Sequence, residues 1–133
     1  MVGLLGTVVL SVASLFSLAT SWNSFAAPRQ FGARLGLSIG GADGLNEIRA
    51  QYGGFFLAVA LAGGAALIGL IPLQAGLVVT ATVFGGLFFG RLVSLGADRG
   101  AGPYGVTIRA LYFIDFTGFA ASLAALLVAA GSP

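Results

Sequence analysis

Two ionisable side chains stand where a charge is costly to hold. Asp115 lies about eight residues inside an apolar stretch, 107–130, and Arg91 about four residues from the end of another, 76–95. If both stretches are membrane-crossing helices, a rise of 1.5 Å per residue puts the carboxylate roughly 12 Å deep and the guanidinium roughly 6 Å deep. An unpaired ion at such depth costs on the order of 2.5–3.5 kcal/mol, so a partner is expected, and Arg91 and Asp115 are the natural pair. Glu47 and Arg49 open a third apolar stretch, with Tyr52 one turn after Arg49, while Tyr112 precedes Asp115 by one turn. Residues two apart on a helix point about 200° from each other, so at most one of Glu47 and Arg49 faces a bundle centre. Glu47, Arg49, Tyr52, Arg91, Tyr112 and Asp115 on one level admit two chemistries. As a pocket, the arginines hold an anionic or quinone headgroup and a carboxylate moves protons. As clamps, the same ions tie helix to helix and bind nothing else.

Other chemistries fall away on composition. The chain has no cysteine and no histidine, which excludes the usual structural zinc sites, disulfide scaffolds, axial-histidine haem, thiol redox pairs and Ser-His triads. No catalytic residue and no metal ligand is assigned, and an enzyme is the less favoured expectation. Six arginines shared out among four acids make no strong basic patch, so nucleic acid is not an expected partner.

The elements that must position these residues follow from hydrophobicity. Of 133 residues, 58% are strongly apolar and only 8% charged, against about a quarter charged in ordinary soluble domains. A bilayer is the expected solvent. Crossing it takes about 20 apolar residues, and four windows qualify: about 2–22, ending in the interfacial residue Trp22, then 47–71, closed by Pro72, then 76–95 and 107–130. The first lacks a basic segment before its apolar run and a clean cleavage site, so a retained helix is expected rather than a signal peptide. The expected fold is all-α, a single domain 1–133 built as an up-down antiparallel four-helix transmembrane bundle with a long first connection. Leu35, Leu37 and Ile39 alternate within that connection, as in a strand, whereas Gly32, Gly36, Gly40 and Gly44 fit a helical face.

Antiparallel order brings every charged side chain to one end of the bundle. The positive-inside rule makes that end cytoplasmic and both termini periplasmic in a bacterial inner membrane. The rule explains the charges as topology markers; the depth of Arg91 and Asp115 argues for a site or clamp. Helices in lipid associate through small residues, and Ala60 with Gly64, and Gly86 with Gly90, offer the four-residue spacing. Eleven phenylalanines are too many for the inside of four thin helices. Some must meet lipid, a partner helix, or a carotenoid, quinone or chlorin tail.

The stretch Asn46-Glu47-Ile48-Arg49-Ala50-Gln51-Tyr52-Gly53-Gly54, followed by Gly90-Arg91-Leu92-Val93-Ser94-Leu95 and then Asp98 and Pro103, resembles a family of small bacterial four-helix membrane proteins. That family is similar in size and layout to DoxX-like proteins. The resemblance implies a four-helix bundle with its functional interest at Glu47, Arg49 and Arg91, and DoxX-like relatives are linked to respiratory or quinone-associated membrane functions. It brings no defined activity. The leading expectation is a non-catalytic accessory or assembly subunit packed against a larger energy-transducing complex, respiratory or photosynthetic, with membrane lipids and other membrane subunits as partners. The alternative is a small-ligand or quinone-binding protein using the charged level, with a bound lipid, quinone or pigment.

Overall fold

Polar side chains bonded back to their own helix carry α1 (Val2–Ala26) a turn past Trp22. Asn23 Nδ2 donates to the Ala19 carbonyl at 2.7 Å and Ser24 Oγ to the Ser21 carbonyl at 2.9 Å, so neither group demands that the helix stop. Pro28 stops it: the residue before a proline is driven from helical backbone, and Ala27 sits at φ −138°, ψ 61°. The structure, a computed structural model, describes residues 2–131, the side chain of Val2 excepted. Met1, Ser132 and Pro133 of the expected 1–133 domain lie outside these residues.

The long first connection is a folded elbow. It holds the short helix α2 (Pro28–Arg34), a turn at Gly36 with φ +78°, and an irregular run up to Gly41. No strand is formed among the described residues, and the left-handed turn at Gly36 prevents the four glycines from sharing one helical face. Instead Ile39 is seated between Gly32 and Gly44. A Cβ on Gly32 would stand 2.5 Å from Ile39 Cδ1, and one on Gly44 2.9 Å from Ile39 Cγ2.

The second span, α3 (Ala42–Leu67), starts five residues before the expected position and ends four earlier. Its terminator is Gly69 at φ +77° rather than Pro72. The Gly69 N–H donates to the Ala66 carbonyl and the Leu70 N–H to the Ala65 carbonyl, the paired bonds of a Schellman end. Within α3, residues Arg49–Gly54 are wound as π-helical turns, with the Phe55 N–H reaching back to the Ala50 carbonyl. The remaining spans are α4 (Leu73–Ala97) and α5 (Val106–Ala130).

All four long helices are long and apolar enough to cross a membrane, and they pack as a helical bundle. Sequential neighbours run antiparallel: Phe25 of α1 meets Gly53 of α3 while Ser14 meets Gly63, and Phe84 of α4 meets Gly118 of α5. Helix α1 also touches α4 across the bundle, through Phe16 and Phe84 and through Gly6 and Leu73. A core of Leu10, Ala66, Leu77 and Ala125 fills the half nearer the charge-free end.

The close approaches differ from the small-residue pairs expected above. Among the described residues Gly64, Gly86 and Gly90 have nothing within 4 Å of where a Cβ would stand, and Ala60 is half-buried. Contact falls on Gly53, Gly63, Gly76, Gly85 and Gly118. The reason is helix rotation. Burial of Leu77, Ala81 and Phe84 turns one face of α4 inward, and Gly86, about 180° round from Leu77 at 100° per residue, is turned outward.

Along α1 a file of hydroxyls, Ser14, Ser17, Ser21 and Ser24, faces the interior, the last three 2% exposed or less. Among the described residues the hydroxyls of Ser14, Ser17 and Ser122 find no hydrogen-bond partner. Removing such a group forfeits no bond and relieves a desolvation cost. Ser17→Ala and Ser122→Ala are therefore expected to be neutral or to stabilise by up to about 1 kcal/mol, read as the midpoint of unfolding in SDS against mild detergent. Ser24→Ala, which loses its bond to the Ser21 carbonyl, should not show that gain.

Candidate functional site

Two helices supply the buried ion pair. Arg91 stands six residues before the end of α4 and Asp115 nine residues into α5, so both lie within roughly 9–14 Å of the same bundle end. Arg91 Nε donates to Asp115 Oδ2 at 2.5 Å, and the side chains are 21% and 2% exposed. Tyr112, one turn before Asp115, donates its hydroxyl to the Arg91 backbone carbonyl at 2.7 Å. The guanidinium carbon lies 5.8 Å from the centroid of the same ring, within reach of cation–π attraction. One tyrosine therefore holds both ends of the arginine, by hydrogen bond to its backbone and by ring contact with its cation.

A second polar set lies nearer the end of the bundle. The rings of Tyr104 and Tyr112 are 5.7 Å apart. Ser94 Oγ donates to Asp98 Oδ2 at 2.6 Å and lies 3.2 Å from the Tyr104 hydroxyl. A serine has one hydroxyl proton, and here it is spent on Asp98, so Tyr104 is the donor to Ser94. Tyr104 was not among the candidates read from the sequence. It sits in the glycine-rich connection 98–105, and only the return of α5 against α4 brings it over Ser94. On the opposite side of the ion pair, the Phe88 and Phe116 rings meet at 5.3 Å, followed by Phe84 against Gly118 and Phe119 against Gly85.

Glu47, Arg49 and Tyr52 do not join this cluster. Glu47 and Arg49 are exposed, and among the described residues neither side chain makes a hydrogen bond or ion pair. Tyr52 belongs to an aromatic column, its ring 5.1 Å from that of Phe31 on α2 and 6.5 Å from that of Phe56. The single charged level expected from sequence is thus two separate groups. The π-helical segment leans on α1, where a Cβ on Gly53 would stand 2.7 Å from the Phe25 ring, and this holds the opening of α3 at the α1–α2 elbow, with Arg49 beside Arg29 rather than Arg91. Among the described residues no group of three His, Cys, Asp or Glu side chains could hold a metal ion.

Chemically, the Arg91–Asp115 arrangement joins two helices. Asp115 has one oxygen engaged and almost no exposed surface, and Arg91 has its backbone and its cation both fastened by Tyr112. A family model described as a domain of unknown function, DUF4345, matches residues 5–126, from the first long helix into the last. No curated protein and no solved structure matches the chain.

Proposed function

We propose, from the premise that the chain belongs to the DUF4345 family, that it is a non-catalytic membrane subunit whose α4 packs against a helix of a larger membrane complex. One observation carries the reading. Its deep charged side chains, Arg91 and Asp115, are closed upon one another, while Gly86 and Gly90 are turned outward with nothing among the described residues within 4 Å. Two glycines four apart on an outer helix face let another backbone approach closely, and in lipid that approach, not apolar burial, drives helix association. Respiratory and photosynthetic assemblies of a bacterial inner membrane are the first class to test, with the arginine-bearing connections on the cytoplasmic side. A DoxX-like site for a quinone or small ligand has less support, because Glu47 and Arg49 stand apart from Arg91 and Asp115.

The test uses the tagged full-length chain and a Gly86→Leu/Gly90→Leu variant, each isolated from native membranes in mild detergent. The natural chain is expected to bring down larger subunits in fixed stoichiometry. The variant, whose leucines suit an outward helix face, should accumulate to the same level and migrate alone. A natural chain that migrates only as a free monomer would overturn the proposal.

A further inference from the structure

A groove of about 340 Å³ opens where α1, α2 and α3 meet, lined by Arg29, Gln30 and Arg49 with Ala26, Pro28 and Leu45. From its chemistry we infer a binding site for the phosphate of an anionic phospholipid, independent of the α4 face discussed above. Two arginines line it, and no acidic residue among the described residues does. The nearest acids in sequence, Asp43 and Glu47, share the face of α3 about 200° round from Leu45 and Arg49. Arg29 is already held in place: its Nη1 donates to the Ile39 carbonyl at 3.3 Å, and Ile39 is seated between Gly32 and Gly44. That bond uses one of the five guanidinium donors. The side chain of Arg49 makes no hydrogen bond or ion pair among the described residues. Paired arginines suit phosphate because each offers two parallel N–H groups to its oxygens.

A lipid, rather than a soluble phosphate, is favoured by what lies beneath the groove. Ala26 shares one face of α1 with Trp22, Leu15, Val12, Val8 and Leu4 at helical spacing. All five are exposed, Trp22 by 72% and Leu15 by 67%. Trp22 is the residue type that settles at headgroup level, one turn from the groove. From Trp22 to Val12 the track is roughly 15 Å long, one leaflet of hydrocarbon. A phosphate bound between Arg29 and Arg49 therefore has an apolar track for its acyl chains directly below.

The test offers the purified full-length protein equimolar phosphatidylglycerol and phosphatidylcholine in mild detergent, and reads retained lipid by native mass spectrometry. Phosphatidylglycerol should be retained in preference. The Arg29→Gln/Arg49→Gln variant should bind it roughly thirtyfold more weakly, on the usual contribution of two basic residues near an anionic headgroup. Arg99→Gln, an equal charge loss per site on the other connection, should leave retention unchanged. Arg29→Lys/Arg49→Lys, which keeps the cations, should lose less than the glutamine variant, and serves if the latter does not fold. Equal retention of both lipids, or undiminished binding by the glutamine variant, would overturn the inference. Displacement of the lipid by millimolar inorganic phosphate would overturn it in favour of a soluble phosphate.

Discussion

Arg91→Met is expected to lower bundle stability by about 3–5 kcal/mol, the usual cost of leaving a buried charge without its partner. The carboxylate it abandons has a side chain only 2% exposed and sits well inside α5, where water cannot replace the guanidinium. Asp115→Leu should cost less. Arg91 is 21% exposed, and an arginine near a helix end can extend toward the interface on its flexible stem. Its fastening to Tyr112, through the backbone carbonyl and the ring, would survive. The combined Arg91→Met/Asp115→Leu variant is expected to recover most of the loss, since a buried ion pair and an apolar pair of similar volume are often close in stability. Unfolding in SDS against mild detergent, run on both single variants and the double, measures the coupling directly. Additive losses would show that the two residues do not act as a clamp.

The second large effect is expected where rings lie on glycines. Phe84 rests on Gly118 and Phe119 on Gly85, a reciprocal contact in which neighbouring residues of α4 and α5 exchange roles. A Cβ on Gly118 would stand 2.7 Å from Phe84 Cδ1 and 2.8 Å from Cγ. Phe84 is 2% exposed with Phe16 behind it at a centroid distance of 6.0 Å, so its ring has little room to retreat. Gly118→Ala should therefore destabilise by about 1–3 kcal/mol, the range for an overpacked interior, and Gly118→Leu by more. Gly86→Ala is the internal control. It adds the same methyl where nothing lies within 4 Å, and alanine is the better helix former. The same SDS titration should show no loss there. Equal losses at positions 86 and 118 would mean that α4 is rotated from the orientation described.

How much of this could be read from the residues depends on what each signal measures. Four long helices were legible because hydrocarbon thickness sets span length and the charges are few. The Arg91–Asp115 pair was legible for a related reason: two opposite charges at membrane depth, on the same end of adjacent helices, have few other ways to be neutralised. Helix rotation was not. In a membrane helix the inner and outer faces are both apolar, so a pattern such as Gly86 and Gly90 carries no sign of which way it faces. Only the shapes of Phe84 and Phe119 choose Gly85 and Gly118 instead. Helix ends differ from the expected ones where local backbone decides them: Gly69 rather than Pro72 closes α3, and Pro28 rather than Trp22 marks the end of α1. The separation of Glu47, Arg49 and Tyr52 from the ion pair depends on the π-helical turns and on how Phe25 takes hold of Gly53. The nearness of Arg29 to Arg49 depends on an elbow whose course is set by one positive φ and one isoleucine.

The end of the bundle that holds no charged side chain bears on how the chain enters its membrane. All ten acidic and basic side chains belong to the elbow, the 98–105 connection and the helix segments that approach them. The turn between α3 and α4, Ile68–Pro72, has only backbone polarity to desolvate, and its Schellman bonds already satisfy part of that. Translocating an arginine or aspartate through hydrocarbon costs about 2.5–3.5 kcal/mol on insertion scales, and the turn between α3 and α4 holds neither. Helices α3 and α4 can thus enter together as a hairpin, turn first. The Arg91–Asp115 pair can form only once α5 lies beside α4, because its two partners stand on different helices.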